Sequence, residues 1–592
     1  MKKISREEFI KTSSFALAAA LSPMSIYKVN HNPNPGVDES MINRLVKGNE
    51  KSVENYLKRE NEPQRFQYYR NLSGPFASLS AAYCHPKSSY YKSKEVLDSL
   101  ENTIDKLLKL QYPNGTLDAG GNRQSPPDTA FLLNSLCPAA KILKSNNYQE
   151  LSNVKNQLDK FLLKAGEGIR TGGVHTPNHR WEESSILAQL YSIYKDDKYL
   201  KRIDQWLEEG IYMNEDGNYP ERSRNYSIVE NEAYIHLGEI LNQSKFFDIV
   251  KRSLTTNYYY MELNGELVCL DSRRQDQYKP ISALNTYLLY RFMAIHENDG
   301  FLSAIAREIE ALEGFEQRVL SYALPLFMTS SVLIKELPKI SQLPENYTKH
   351  FVGSDLVRIK RGDSTASIFG GNDKPIIISS GRSCIPTFFT FRKRYAILEY
   401  ARLSTNFFNI GYVRPDGVIK EGNKYILKEK KEAYYYHPMP KNKLNKNGDY
   451  ALTESVDRRF WSKMDFGDRP RTTLTQDSQI IIEENDNTFK IDLNINGPEN
   501  VEVTLELCFN EKGKLEGVTR DHEDDDFFLE SGFAKYSLGN DIIEVGPGKM
   551  EHTNIRFIDG EEYSTHFGTL KSKGKHLYIT GLVPFKHSIT IK

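Results

Sequence analysis

Three polar loops in the first half of the chain combine amides, imidazoles, guanidinium groups, carboxyls and phenols. Each loop precedes a segment with helical spacing, where side chains and free backbone N–H groups can face a ligand. The candidate site residues are Asn178, His179, Arg180 and Trp181 in the first loop, Tyr219, Glu221, Arg222, Arg224 and Tyr226 in the second, and Arg273, Arg274 and Asp276 in the third. Loops at successive helix junctions meet at one end of a helical ring, so we expect these groups to surround one ligand.

These residue types suit β-elimination from a uronic acid. The proton at C5 of the sugar is weakly acidic until the neighbouring carboxylate is neutralised. Asn178 can hydrogen-bond that carboxylate, and Arg180 or an arginine of the second loop can add positive charge. Tyr226 or His179 can then act as base and as acid, provided that nearby cations stabilise the phenolate. Proton transfer of this kind contributes roughly 10²–10⁴-fold, so carboxylate neutralisation must supply much of the rest.

Two other functions fit the same loops. Hydrolysis of a glycoside needs two carboxyl groups, about 5–5.5 Å apart for retention or about 6.5–9.5 Å apart for inversion. The loops offer four such groups: Glu182, Glu183, Glu221 and Asp276. A non-catalytic glycan-binding protein could use the same side chains without chemistry.

The aromatic and basic residues of the loops predict how a sugar acid would be held. Trp181, Tyr219 and Tyr226 are expected to stack on sugar rings, and the arginines are expected to bind carboxylates. Each loop also has a simpler interpretation. Asn178 can merely cap a helix, Glu221 can pair with a local arginine, and the third loop can be a solvated run of charges.

The first half of the chain has helical periodicity. Apolar residues at positions 96, 97, 100, 104, 107 and 108 recur at steps of three and four, and similar stretches follow up to about residue 311. Turn sequences such as Tyr112-Pro113-Asn114-Gly115 separate them. About ten helices joined in hairpins, without a fixed sequence repeat, predict an incomplete (α/α) toroid over residues 40–335.

The second half changes to a period of two. Residues 489–495 and 501–507 alternate strictly, and 479–482, 577–581 and 587–591 also read as strands. No crossover helices separate them, so we expect an antiparallel β-sandwich over residues 350–592. The fold class is therefore α+β multidomain. The basic stretch from Lys420 to Lys446 is interpreted as a long insertion, a lid or cleft wall.

This combination resembles the heparinase II/III and alginate-lyase group. The likeness is architectural over about residues 60–592, and it reaches motif level at Asn178-His179 and Tyr226. It implies that Asn178 neutralises the carboxylate and that Tyr226 and a histidine act as base and acid. It also implies one more His or Tyr from the β-domain, for which Tyr412, Tyr436 and His437 are the candidates. Toroid hydrolases of the glucuronidase type are similar too.

The amino-acid composition limits the classes of partner that the protein can bind. The 592 residues contain 78 basic and 78 acidic side chains. A nucleic-acid-binding protein would have an excess of basic side chains, so that class of protein is excluded. We expect an acidic glycan as the partner, no nucleic acid and no stable membrane span; the sequence does not specify an oligomeric state. Residues 1–25, with Lys2, Lys3 and Arg6 before the apolar run 15–21, predict an export signal and a periplasmic location.

Cysteine and acidic residues give little sign of metal chemistry. The five cysteines are scattered without a CxxC pair, which disfavours a zinc ribbon, and buried thiols are expected. No cofactor is predicted. The run Asp521-His522-Glu523-Asp524-Asp525-Asp526 offers oxygen ligands for a structural divalent ion, although a solvated acidic loop is the simpler interpretation.

Overall fold

The computed structural model describes residues 36–60, 70–374, 382–458, 460–520, 526–555 and 573–592. The predicted export signal and Asp521–Asp525 of the acidic run lie outside these ranges. The described part of the chain forms a helical unit followed by two large β-sheets.

Twelve α-helices are present in the described residues. They are α1 Glu39–Arg59, α2 Arg70–Cys84, α3 Lys94–Leu110, α4 Pro126–Ser145, α5 Ser152–Thr171, α6 Pro177–Tyr194, α7 Lys198–Glu208, α8 Arg224–Leu241, α9 Lys245–Tyr258, α10 Tyr287–His296, α11 Gly300–Glu310 and α12 Leu324–Thr329. Consecutive helices pack as hairpins, and α2, α4, α6 and α8 pack in sequence along the inside of the ring. Helix α12 returns to contact α2 and α4, which closes the helical layer around an axial space.

The inner helices bury more of their surface than a surface helix does. In α6, for example, an unbroken run of side chains from Trp181 to Leu190 is buried. The outer helix α3 instead buries one stripe at residues 96, 100, 104 and 107, the spacing on which the helical prediction depended. The single large apolar core of the toroid extends from Met41 to Leu333.

The short strands of the toroid loops are β1 Leu117–Ala119, β2 Asn122–Ser125, β3 Glu266–Leu267 and β4 Ile281–Ser282. The remaining strands are β5 Asn346–Phe351, β6 Leu356–Arg361, β7 Ser364–Phe369, β8 Phe389–Lys393, β9 Ala396–Thr405, β10 Gly411–Tyr412, β11 Ile419–Glu421, β12 Lys424–Tyr436, β13 Thr453–Glu454, β14 Trp461–Ser462, β15 Arg471–Asn485, β16 Thr488–Asn496, β17 Glu502–Phe509, β18 Lys514–Glu516, β19 Thr519–Arg520, β20 Asp526–Phe528, β21 Ala534–Leu538, β22 Asp541–Gly546, β23 Lys575–Leu582 and β24 Phe585–Ile591.

Two sheets form the β-domain. The ten-stranded sheet has the order β19-β20-β23-β17-β9-β8-β7-β6-β5, with β10 beside β9, and the eight-stranded sheet has the order β11-β12-β15-β16-β24-β22-β21-β18. Their inner faces share one apolar core from Val357 to Ile591. The fold prediction is confirmed, with the difference that β20 pairs with β23 in parallel. The insertion interpretation of Lys420–Lys446 is wrong for residues 424–436, which form the long strand β12 inside the second sheet.

The toroid and the ten-stranded sheet are joined by a buried contact. Tyr260 and Leu270 of the toroid pack with Phe351, Phe369 and Ile385 of the β-domain in a separate apolar cluster. This contact fixes the loops that precede α8 and α10 against the turns at one end of the sheet. Of the candidate site residues, Arg222 and Arg273 contact Asp373 of the β-domain at this junction.

Candidate active site

The three polar loops meet at one end of the toroid because the inner helices run in the same direction. Helix α6 begins at Pro177, directly before Asn178. Helix α8 is capped by Ser223, whose Oγ accepts a hydrogen bond from the Tyr226 amide at 3.1 Å. Asp276 of the third loop fastens this cap, since its carboxylate accepts from Ser223 Oγ at 2.8 Å and from the Asn225 amide at 3.3 Å.

Five side chains from the three loops form a continuous hydrogen-bonded chain, here called the site cluster. Asn178 Nδ2 donates to Glu221 Oε2 at 2.7 Å. The other oxygen of Glu221 pairs with Arg274. Arg274 Nη2 lies 3.4 Å from the Tyr226 phenol oxygen, and Gln275 Nε2 donates to that oxygen at 3.0 Å. Residues far apart in sequence are therefore brought within reach of one sugar.

Burial divides the site cluster into an inner and an outer part. Asn178 is 0% exposed and Glu221 5%, whereas Tyr226 is only partly buried. Both amide hydrogens of Asn178 have acceptors, because Nδ2 also reaches Thr176 Oγ1 at 3.2 Å. Tyr226 therefore keeps more of its surface accessible than Asn178 or Glu221 does. The role predicted for Asn178 as carboxylate neutraliser stays a prediction.

The phenol of Tyr226 faces concentrated positive charge. The Arg274 guanidinium carbon lies 4.4 Å from the centre of the Tyr226 ring, and N–H groups of Arg274 and Gln275 point at the phenol oxygen. The sequence reasoning missed Gln275; its position next to Arg274, in the third loop, was the available signal.

The β-domain contributes a carboxylate that the sequence reasoning also missed. Asp373 accepts two hydrogen bonds from Arg273, at 2.8 and 2.9 Å, and lies 3.6 Å from Arg222. Burial raises the pKa of Asp373, but hydrogen bonds from Arg273 and the Ser383 backbone outweigh burial and lower it. Arg222 is buried and belongs to this ion pair, while Arg273 keeps 38% of its side chain exposed and can still meet a ligand.

Two aromatic predictions are wrong. Trp181 is 2% exposed and packs in the toroid core, with its ring 5.4 Å from that of Tyr234. Tyr219 is 1% exposed, and its phenol donates to Asn231 at 2.6 Å. Neither ring can stack on a sugar, because helix packing covers both of them.

Two charged residues predicted to bind substrate have structural contacts instead. Arg224 is buried, donates to Asn218 Oδ1 at 2.7 Å and lies over the Tyr260 ring at 4.0 Å. Asp276 is buried beneath the cap of α8, as described above. Both side chains are buried and held by contacts within the protein, so direct substrate contact is contradicted for both residues.

The β-domain candidates lie away from the site cluster or are covered. His437 follows β12, and its Nε2 lies 2.7 Å from Thr472 Oγ1. Glu429 of β12 lies 3.8 Å from Lys374, the residue that follows Asp373. His437 comes eight residues after Glu429, which corresponds to about 26 Å of extended strand. Tyr412 is 7% exposed and donates to Glu506 at 3.1 Å. The ring of Tyr436 packs on Phe466.

His179 and Arg180 lie beside the site cluster on α6. His179 is 8% exposed, and its ring meets Phe131 and His175 edge to face, at 5.7 and 4.7 Å. Arg180 donates to Glu209 Oε2 at 2.7 Å. The catalytic role predicted for His179 and the substrate-binding role predicted for Arg180 stay predictions.

The carboxyl groups considered for hydrolysis are all buried. Glu182 accepts from Asn134 at 2.6 Å, and Glu183 is 0% exposed. Burial raises the pKa of Glu183 to about 8. Glu221 and Asp276 are engaged as described above. No pair among these four faces the cleft in the described structure.

Metal-binding clusters and membrane spans are absent from the described ranges. No group of three or more His, Cys, Asp and Glu side chains is arranged to hold a metal ion there, and no helix is long and apolar enough to cross a membrane. All five cysteines are buried thiols, as predicted.

No protein-family model matches this chain, and no curated protein matches its sequence. Solved structures do match. Heparinase III has 12% identity and a TM-score of 0.53, covering 99% of this chain and 87% of that chain. The fold is that of polysaccharide lyases. A Paenibacillus xanthan lyase gives 10% identity and a TM-score of 0.54, over 96% of this chain and 57% of that chain. A Streptomyces coelicolor A3 chondroitin AC lyase in complex with chondroitin sulphate gives 10% identity and a TM-score of 0.52, over 95% and 80%.

Proposed function

We propose that this protein is a carbohydrate-active enzyme that cleaves a uronic-acid-containing glycan by β-elimination. The observation that carries the proposal is the contact between Tyr226 and Arg274. It places a partly exposed phenol beside a guanidinium group and a second N–H donor, at the mouth between toroid and β-domain. The fold shared with known lyases supports the same reaction class.

In the proposed reaction the substrate carboxylate binds near Arg274 and Arg273. Pairing with these cations withdraws charge from the sugar acid and makes the C5 proton more acidic. The Tyr226 phenolate takes that proton. The electron pair forms the C4–C5 double bond, the C4–O bond breaks, and the departing oxygen receives a proton from the Tyr226 phenol, which returns the tyrosine to its phenolate form.

Asn178 and Glu221 are positioning residues in this scheme. The Asn178 amide holds one oxygen of Glu221, and Glu221 holds Arg274 against the Tyr226 ring. Because Glu221 is buried, it keeps Arg274 oriented before substrate arrives. Preorganised charge of this kind stabilises a transition state without reorganisation during the reaction.

An acidic glycan is the proposed partner, since Arg273 keeps 38% of its side chain exposed and Arg274 lies beside the partly exposed Tyr226. We also propose that the protein is exported to the periplasm. That proposal depends on the basic and apolar pattern of residues 1–25.

The test is a screen of acidic polysaccharides that records ultraviolet absorbance and new reducing ends in parallel. An elimination product absorbs through its new C4–C5 double bond. Reducing ends without absorbance would indicate the hydrolase, and binding without either signal would indicate the glycan-binding protein. Tyr226→Phe removes the proton-transferring oxygen, so we expect turnover to fall at least about 100-fold. Tyr395→Phe, at an exposed ring of the β-domain, is the matched control.

A further inference from the structure

The inner helices of the toroid enclose a cavity that none of the site cluster residues lines. Its volume is about 430 Å³. Helices α4, α6, α8, α10 and α12 all contribute to its wall. A cavity of this size accommodates a small organic molecule.

Helix α8 presents one continuous stripe to this cavity. Residues Asn225, Ile228, Glu232, His236 and Glu239 line it, at steps of three and four residues. The stripe rises about 21 Å from Asn225 to Glu239. Both of these end residues are exposed, so the cavity communicates with solvent.

Glu232 lies midway along the stripe without a compensating charge. Burial alone raises the pKa of its carboxyl to about 7. Tyr322, which is 43% exposed, lines the same space. Placing a carboxyl in such a position without a cation costs free energy, which a positively charged ligand would recover.

Lys141 also lines the cavity, but its charge acts on His236 and Glu239 and not on Glu232. His236 is neutral near pH 7, because burial and the charge of Lys141 lower its pKa to about 3. Its Nδ1 lies 3.1 Å from the amide nitrogen of Gln189, which only donates, so the ring proton is on Nε2. Glu239 lies at the exposed end of the stripe; partial desolvation there raises its pKa, and the charge of Lys141 partly offsets that effect. The positive charge of Lys141 therefore acts on His236 and Glu239, and Glu232 is left alone.

Part of the wall is apolar. Ile228, Leu288, Leu289 and Phe292 supply aliphatic and aromatic surface. We propose that the cavity is a binding site for a small organic cation, a protonated primary amine on an apolar body, whose ammonium group pairs with Glu232. This site is separate from the proposed cleavage site, and its occupant is not the acidic glycan.

Calorimetry on the full chain with three compounds of one shape tests the proposal. Benzylamine carries the cation, benzyl alcohol is neutral and benzoate is an anion. We expect benzylamine to bind and the other two to bind at least about tenfold more weakly. Raising the pH from about 6 to about 8 ionises Glu232, so benzylamine affinity should rise about tenfold while the amine stays protonated.

Two variants separate the ion pair from general packing. Glu232→Gln keeps the side-chain shape, and it should weaken benzylamine at least about tenfold and remove the pH dependence. Glu239→Gln is the matched control on the same stripe and should leave both unchanged. The proposal is overturned if wild type does not bind benzylamine, if benzyl alcohol or benzoate binds equally well, or if folded Glu232→Gln, verified by its melting temperature, binds benzylamine like wild type.

Discussion

Replacing Glu221 by glutamine tests whether the site cluster is organised as the structure shows. Glu221 receives the Asn178 amide on one oxygen and Arg274 on the other. Glutamine has nearly the same shape, but it carries no charge and keeps only one acceptor oxygen. The substitution therefore removes the counter-charge of Arg274 without opening a cavity.

The expected effect follows from burial. The side chains of Arg274 and Glu221 are only 15% and 7% exposed, so solvent screens the pair weakly. Hydrogen bonds to charged groups contribute about 1.5–3 kcal/mol, so Glu221→Gln should lower the free energy of unfolding by about 2 kcal/mol. Glu221→Ala leaves Arg274 without an acceptor there and should cost about 3–5 kcal/mol. Loss of Arg274 orientation should also lower kcat, by up to about 100-fold.

Urea unfolding measures the first quantity, and the initial rate of ultraviolet absorbance measures the second. Glu209→Gln is the control, because the Glu209–Arg180 pair leaves 51% of the Glu209 side chain exposed and should contribute less than about 1 kcal/mol. If Glu221→Gln unfolds within about 0.5 kcal/mol of wild type and keeps its kcat, the proposed organisation of the cluster is refuted.

Three further predictions concern the fold. Burial raises the pKa of Glu506, but the hydrogen bond from His576 and nearby charges outweigh burial and lower that pKa below 4.5. The stability that the ionised carboxylate contributes should therefore be lost as the pH falls through the folded-state pKa. For Glu506→Gln, the free energy of unfolding should depend less on pH below about pH 4.5. Trp181→Ala should cost about 3–5 kcal/mol in urea unfolding, and a wild-type midpoint would show that the ring is not buried. Asp373→Ala leaves two arginines unpaired and should lower the melting temperature, whereas Asp363→Ala, in an exposed pair, should not.

Much of the architecture could be read from periodicity. Strands β16 and β17 match the alternating stretches, because residues on one face of a sheet must be apolar when that face covers a core. The position of β12 could not be read in this way. Its buried face includes Glu429 and Lys431, whose charges are 3.6 Å apart, and a paired charge inside a sheet looks in the sequence like part of a polar loop.

The sequence by itself determined that amides, phenols and guanidinium groups precede successive inner helices, and hence that they gather at one end of a ring. Tertiary packing decided which of them a ligand can reach. Trp181 and Tyr226 are both aromatic residues that carry a polar group, so their sequence positions alone do not distinguish them. The Trp181 ring is buried beneath a neighbouring helix, whereas Tyr226 is only partly buried. Exposure depends on contacts between segments far apart along the chain, such as that of Arg273 with Asp373, and local spacing carries no record of those contacts.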